Sequence, residues 1–382
     1  MAAAPSFYFD NAATTPMDER VLEAMMPFFT HNFGNPSSTH SHGRNARVEL
    51  EKARKKIAAL LHTSPGEIVF TSGGTEADNM AIWGAISAYG LQQIISSPLE
   101  HHAVLHVTEH AANRHNIPRN LLKVSTEGTV NLEQLDQLLQ ETPNSLVTLM
   151  HGNNEIGNLN DLKIISQICQ RHGAYLHSDT VQTVGHYPLD LQALSIHAIA
   201  GSAHKFHGPK GVGFLYINSN KKLPPLIEGG SQERNRRGGT ENIAAIVGMA
   251  KALELAQEEQ EQHQQYISEL KQYFASMILE AIPEVTFNGL SGHPSQSLYT
   301  VLNVSFPPNE NARGMLLFHL DLKGISASGG SACNSGARLG SHVLQSIGAN
   351  PERESVRFSF SRFNTREEVD YTISQLKGLY TN

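Results

Sequence analysis

Cysteine is scarce in this chain, with two in 382 residues. That argues against a disulfide framework and makes a reducing cytoplasm the expected setting. Long apolar runs are missing too, since none approaches the ~18 to 20 residues that span a bilayer. The opening Met-Ala-Ala-Ala-Pro-Ser lacks the charged and apolar regions of a signal peptide. Charge is thin, at 17% of residues against roughly 25% in ordinary soluble domains. With 40% hydrophobic residues, this predicts a large internal surface. A net charge of -7 and a pI near 6.3 argue against a general nucleic-acid binder, which carries a basic face. Arg234, Arg236 and Arg237 offer one example of where a local basic patch could lie.

The two cysteines sit in opposite settings. Cys169 shares a helical face with Ile164, Ile165 and Ile168 and reads as a small core residue. Cys333 lies in SASGGSACNSGARLG, too polar and glycine-rich to pack a core, which predicts an exposed, mobile loop.

From about residue 46 to 216, helical stretches alternate with short apolar runs, the pattern of an α/β unit with a mostly parallel sheet. Strands are expected at 68–71, 146–150, 174–178, 198–201 and 213–217. A helix is expected at 131–140, with Asn131 and Gln134 in capping-box positions. Residues 242–281 read as one long helix, broken at most once, that links two units. Strand-like runs at 300–306 and 355–360 and a last helix opened by Thr365 and Glu368 suggest a smaller α+β domain. The expected division is 14–255 for the large domain. Residues 1–13 and 256–382 form the small one, carrying the Cys loop at about 324–342.

Four segments carry chemistry. In SAHKFHGPKG, a small-residue strand ends at Lys205, and a Gly/Pro turn follows; such a lysine forms a Schiff base when burial or nearby positive charge lowers its pKa. In LHSDTVQTVG, Asp179 ends a strand, where it can pair with a pyridinium nitrogen or cap the next turn. In FTSGGTEADN, a strand, two glycines and a helix start offer N–H groups to a phosphate. In ESVRFSFSRF, Val356, Phe358 and Phe360 alternate with Arg357, Ser359 and Ser361, placing an arginine fit for a carboxylate or for a structural ion pair. His102, His106 and His110 follow helical spacing; a solvated face is preferred there over a metal site, and no metal is expected.

These segments, with FDNAATTPMD, FGNPSSTHSHGR, LEHHAVL, MHGNNEIG, RRGGTENI and NVSF, run in an order and spacing similar to the class I (NifS/IscS-type) cysteine desulfurases. The resemblance spans almost the whole chain. It implies the fold type I, aspartate-aminotransferase-like architecture, with a large mixed-sheet domain and a smaller α+β domain. It implies pyridoxal 5'-phosphate as cofactor and L-cysteine as substrate.

By the same resemblance, Lys205 would carry the cofactor and shuttle protons. Asp179 would hold the pyridine nitrogen, Gln182 the phenolic oxygen, and His101 would stack on the ring and assist proton transfers. Gly74, Thr75, Ser202 and His204 would bind the phosphate, with Thr240 reaching the partner's site in a homodimer. Asn154 and Arg357 would hold the substrate carboxylate. Cys333 would take the sulfur as a persulfide, on an arm punctuated by Gly324, Gly329, Gly330, Gly336 and Gly340, and pass it to an acceptor protein in iron–sulfur or tRNA-thiolation pathways. The chain ends at Asn382 without the extension by which many relatives dock a scaffold protein, and His207 stands where many have tyrosine. Selenocysteine lyase and a non-catalytic scaffold stay open as alternatives.

Overall fold

The computed structural model describes residues 6–309, 314–329 and 340–380. The strands are β1 Phe7–Tyr8, β2 Ile68–Thr71, β3 Gln93–Ser96, β4 Arg119–Leu121, β5 Ser145–Thr148, β6 Tyr175–Asp179, β7 Ala198–Ser202, β8 Gly213–Ile217, β9 Thr286–Phe287, β10 Val301–Phe306, β11 Ile325–Ser326 and β12 Glu354–Ser359. The helices are α1 Glu19–Met25, α2 Pro27–Thr30, α3 Ser41–Leu60, α4 Gly74–Tyr89, α5 His102–His115, α6 Leu132–Glu141, α7 Leu162–His172, α8 Ile243–Glu258, α9 Gln260–Ala281, α10 Leu316–Leu322, α11 His342–Ser346 and α12 Arg366–Tyr380.

The apolar runs of the first half form a seven-stranded sheet ordered β2-β8-β7-β6-β5-β3-β4. Neighbours are parallel except at β8, which is antiparallel to both β2 and β7. The central strands are buried on both faces, as parallel sheets demand: β5, β6, β7 and β8 are buried along their whole lengths. One core packs α1, α3, α6, α7 and α8 on one face, with Cys169 inside it. The other packs α4 and α5 on the opposite face. Burial pushes the Cys169 thiol up to about 12, so it is an inert core residue.

The long helical stretch is two helices, and the break falls at Glu259, where φ and ψ leave the helical region. Residues of α8 pack into the sheet core, whereas Ile267, Leu270, Phe274 and Ile278 of α9 join Val356, Phe358 and Phe360 in a separate core. The β12-β10-β9 sheet is antiparallel, and β1 pairs with β11 alongside. Phe9 reaches into this second core from near the N-terminus, its ring 5.6 Å from that of Phe360. Each of these buried aromatics contributes roughly 1.5–3 kcal/mol.

Helix starts follow the sequence signals with one variation. Asn131 caps α6 by accepting from Gln134 N–H at 2.8 Å, but the Gln134 side chain accepts from Lys123 N–H instead of closing the box. At α12 the box is complete, with Thr365 and Glu368 bonded reciprocally at 3.2 and 3.3 Å. No described helix is long and apolar enough to cross a membrane.

Candidate active site

The carboxyl ends of parallel strands are where α/β sheets place ligands, and a cavity of about 260 Å³ opens at that edge. Lys205 enters it from the short 3-10 turn Ala203–Lys205 that follows β7. Its ammonium donates to the carbonyls of Ala12 and Ala13, the second at 2.9 Å. The Lys205 carbonyl accepts from His186 Nε2 at 2.9 Å, so the lysine backbone is held from behind.

Asp179 ends β6 and is buried. Its Oδ1 accepts from Val181 N–H at 2.9 Å, and the residue also lines the cavity. The cap and the cavity readings therefore hold together. Burial raises its carboxyl to about 6 against the Val181 N–H and the Lys205 charge. Asp78 and Glu100 lie behind it, fully buried, and burial pushes both well above the usual carboxylate range, with the Asp179 charge adding to the push. Of the three acids, Asp179 is the one that Lys205 favours in the ionised form.

His101 caps α5, its Nδ1 accepting from Ala103 N–H at 3.1 Å. That bond fixes the tautomer: Nε2 keeps the proton. Burial first, then the charges of Lys205, His342 and His106, lower its pKa to about 4, so the ring is neutral at neutral pH.

At the other end of the cavity α4 begins at Gly74 without any side-chain cap. A Cβ at Gly74 would lie 2.5 Å from Val181 Cγ2 and 3.7 Å from Ser202 Cβ. Only glycine permits this close approach of helix start and strand end. Unspent N–H groups and the helix dipole at such a start favour an anion, and Thr75, Ser202 and His204 line the same space. His204 is held by Thr14 Oγ1 at 3.2 Å, and burial and the lysine charges lower its pKa to about 4.

At the rim, Arg357 is buried, with Nη1 donating to the Asn154 carbonyl and Nη2 to Asp10 Oδ1, both at 2.7 Å. Asn154 contributes its backbone oxygen to this contact. Gln182 Nε2 donates to the Ala12 carbonyl at 3.0 Å.

The sequence matches the family described as Aminotransferase class-V over residues 7–372. It is 44% identical over 377 residues to "Cysteine desulfurase IscS" of Dictyoglomus turgidum, covering 97% of this chain and 94% of that protein. The chain belongs to the NifS/IscS-type cysteine desulfurases. A solved structure titled "NIFS-LIKE PROTEIN" superposes with a TM-score of 0.90 at 35% identity, over 99% of this chain and 100% of that one. Another, "SspA in complex with cysteine", gives a TM-score of 0.80 at 30% identity, over 94% and 100%.

Desulfurases of this family are pyridoxal-phosphate enzymes, and the residues present suit that group. The glycine-shaped anion end at Gly74, the buried acid at Asp179 and the lysine amine at Lys205 lie on one cavity. Asp179 with its raised pKa is an acid short of positive charge, which a protonated pyridine nitrogen would supply. The structure thus brings together Lys205, Asp179, His101, Gln182, Gly74, Thr75, Ser202, His204, Asn154 and Arg357. Thr240 is not among the cavity's lining residues and lies exposed. Cys333 lies outside the described residues.

The basic cluster is not a free patch, because Arg237 pairs with Glu76 at 2.8 Å, Arg234 with Glu51 at 3.3 Å, and Arg236 donates to the Gly66 carbonyl. His102 packs against His106 and His342, and no cluster among the described residues could hold a metal ion. His207 adopts φ +65° and bonds the Pro16 carbonyl at 2.9 Å, a structural anchor for the lysine turn. Sequence reasoning missed Asp78, Glu100, Asp10 and His342. The signal for Asp78 was a lone carboxylate on the apolar face made by Ala77, Met80 and Ala81 of α4.

Proposed function

We propose that this desulfurase removes sulfur from L-cysteine, leaving L-alanine and a persulfide on Cys333. The observation that carries the reading is the convergence of Lys205, Asp179 and His101 in one cavity with Arg357 at its rim. The described residues on either side of 330–339 are bonded beside that cavity. Ser328 and Arg357 exchange backbone hydrogen bonds at 3.2 and 2.6 Å. On the far side the Ser341 hydroxyl meets Glu155 Oε2, and His342 Nε2 donates to the Glu100 carbonyl at 2.9 Å. Cys333 stands five residues after Ser328, a reach of at most ~17 Å.

Pyridoxal phosphate, when bound, supplies an electron sink for the substrate's Cα. Asp179 would keep the pyridine nitrogen protonated, and Gln182 would have one N–H left for the phenolic oxygen. Thr75, Ser202, His204 and the Gly74 backbone hold the phosphate. Arg357 and Asn154 orient the substrate carboxylate. Lys205 moves the proton at Cα, and His101, with its Nε2–H, donates where protons are needed. The Cys333 thiolate attacks the substrate sulfur; the Cβ–S bond breaks, its electron pair stays with the carbon and is protonated, and the sulfur remains on Cys333 as S–SH. Thiolate attack rather than thiol attack is required by the nucleophilicity of sulfur.

In the same reading 14–255 is the cofactor domain, with 1–13 and 256–382 the small domain. Exposed Thr240 reaches the cofactor phosphate of a second copy in a homodimer. The persulfide passes in the cytoplasm to an acceptor protein serving iron–sulfur or tRNA-thiolation pathways. The test compares alanine and sulfide release from L-cysteine, with a reductant, for wild type and Cys333→Ser. Equal amounts of both products from wild type, with neither from a yellow, cofactor-loaded Cys333→Ser, support the proposal. Full activity in the variant removes Cys333 from the mechanism, and alanine release from selenocysteine alone makes the chain a selenocysteine lyase.

A further inference from the structure

Arg357 meets the cavity already paired. Its side chain is 2% exposed, and a guanidinium so buried needs a counter-ion. Asp10 supplies it, at 2.7 Å from Nη2. Its Nη1 donates to a neutral group, the Asn154 carbonyl, and the buried Nε meets no acceptor among the described residues.

Asp10 cannot drift with the arginine, because the segment that carries it is pinned from both sides. Ala12 N–H donates to Ser359 Oγ and Asn11 Nδ2 to the Ser359 carbonyl, both at 2.8 Å. The Tyr8 hydroxyl donates to the Asp10 carbonyl at 3.1 Å and the Thr14 carbonyl at 2.9 Å. Ser359 stands two residues after Arg357 on the same face of β12, so one strand fixes both the arginine and its counter-ion.

We propose that Asp10 is a positioning residue that sets carboxylate affinity: a built-in counter-ion that occupies Arg357 in the empty site and shares it with the substrate carboxylate in the filled one. This rests on the reading of Arg357 as the carboxylate grip. Two carboxylates on one guanidinium repel each other, so each binds less tightly than it would to a bare arginine. L-Alanine, the product, carries the same carboxylate as L-cysteine. A grip weakened by Asp10 lets the product leave, at a cost in substrate affinity.

The sign of the effect is fixed by linkage. Without Asp10 the empty site holds an unpaired buried charge and is destabilised, and an arriving carboxylate relieves that state. The test uses the holoenzyme with L-alanine as probe, read by thermal shift, beside KM and kcat for L-cysteine. Asp10→Asn should melt lower than wild type without ligand and gain more from L-alanine. It should bind L-alanine roughly 10-fold more tightly, equivalent to about 1.4 kcal/mol, and show a lowered KM for L-cysteine without a raised kcat. Unchanged or weaker L-alanine binding overturns the proposal.

Arg357→Lys separates the two levels. If it binds L-alanine as wild type does, the carboxylate grip itself is misassigned; if it loses affinity while Asp10→Asn is unchanged, only the role of Asp10 falls. Should Asp10→Asn fold only when L-alanine is present, the linkage is shown directly. A variant that stays unfolded in saturating L-alanine overturns the proposal, because the ligand carboxylate should replace the missing one.

Discussion

The two ends of the cavity are built differently. The cofactor wall, made by Asp179, Lys205, Ser202, Gly74 and His101, comes from strand ends and helix starts of a single sheet. Its residues sit where a local rule puts them: an acid ending one parallel strand, a lysine just past the next, a glycine opening a helix. The carboxylate corner joins Asp10, Asn154 and Arg357, which are separated by more than a hundred residues at each step, through hydrogen bonds between distant segments. One end is local architecture repeated; the other exists only once the chain has closed on itself. Damage should therefore spread differently from each.

The largest separation of the two is expected from Lys205→Ala. Turnover of L-cysteine should fall to the detection limit, since Lys205 is the group proposed to carry the cofactor and to move the Cα proton. The Arg357 corner should survive, so the variant should keep a thermal shift with L-alanine. Loss of that shift along with turnover would show that the two ends are not independent.

Ser359→Ala strikes the opposite end. It removes the acceptor of Ala12 N–H in a buried position, which should cost about 1–3 kcal/mol of stability. Because residues 10–13 bridge Arg357 to Lys205, KM for L-cysteine should rise. A drop in melting temperature with unchanged KM would mean the strap is scaffolding only.

The smallest effect is a pH dependence that belongs to the cofactor wall. His101 and His204 titrate near 4 and the neighbouring His177 near 3, all lowered chiefly by burial. The unfolded chain takes up these protons near 6.5. Between about 6.5 and 4 the unfolded state thus binds more protons, and stability falls as pH falls through that window. Asp179, raised to about 6, works the other way: its contribution is present below its unfolded value of about 3.9 and is lost as pH rises through 6. Asp78 and Glu100, also raised by burial, work in the same direction as Asp179, so the test isolates the histidine part of the balance. His177→Gln should lose less melting temperature than wild type between about pH 6.5 and 4; an identical pH profile would place the acid sensitivity elsewhere.

Much of this was legible in advance. Strands at 68–71, 198–201 and 213–217 read directly as apolar runs between turn signals, and the alternation around Arg357 gave its two faces correctly. β3 and β4 are not among the strands expected from the sequence, and the long helix is expected to break at most once, without a position, which the structure puts at Glu259. No glycine or proline marks that break, because it is set by which core each half of the helix joins.

By itself the sequence determined the periodicities, the helix starts, the lysine and acid at consecutive strand ends, and a glycine where only glycine fits. These follow from backbone geometry within a few residues of each group. It could not decide that Asp10 would neutralise Arg357, that the carbonyls of Ala12 and Ala13 would hold the lysine amine, or that Asp78 and Glu100 would be buried behind Asp179. Charge pairing and burial depend on distances between segments far apart in the chain, and those distances are set only when the two cores pack.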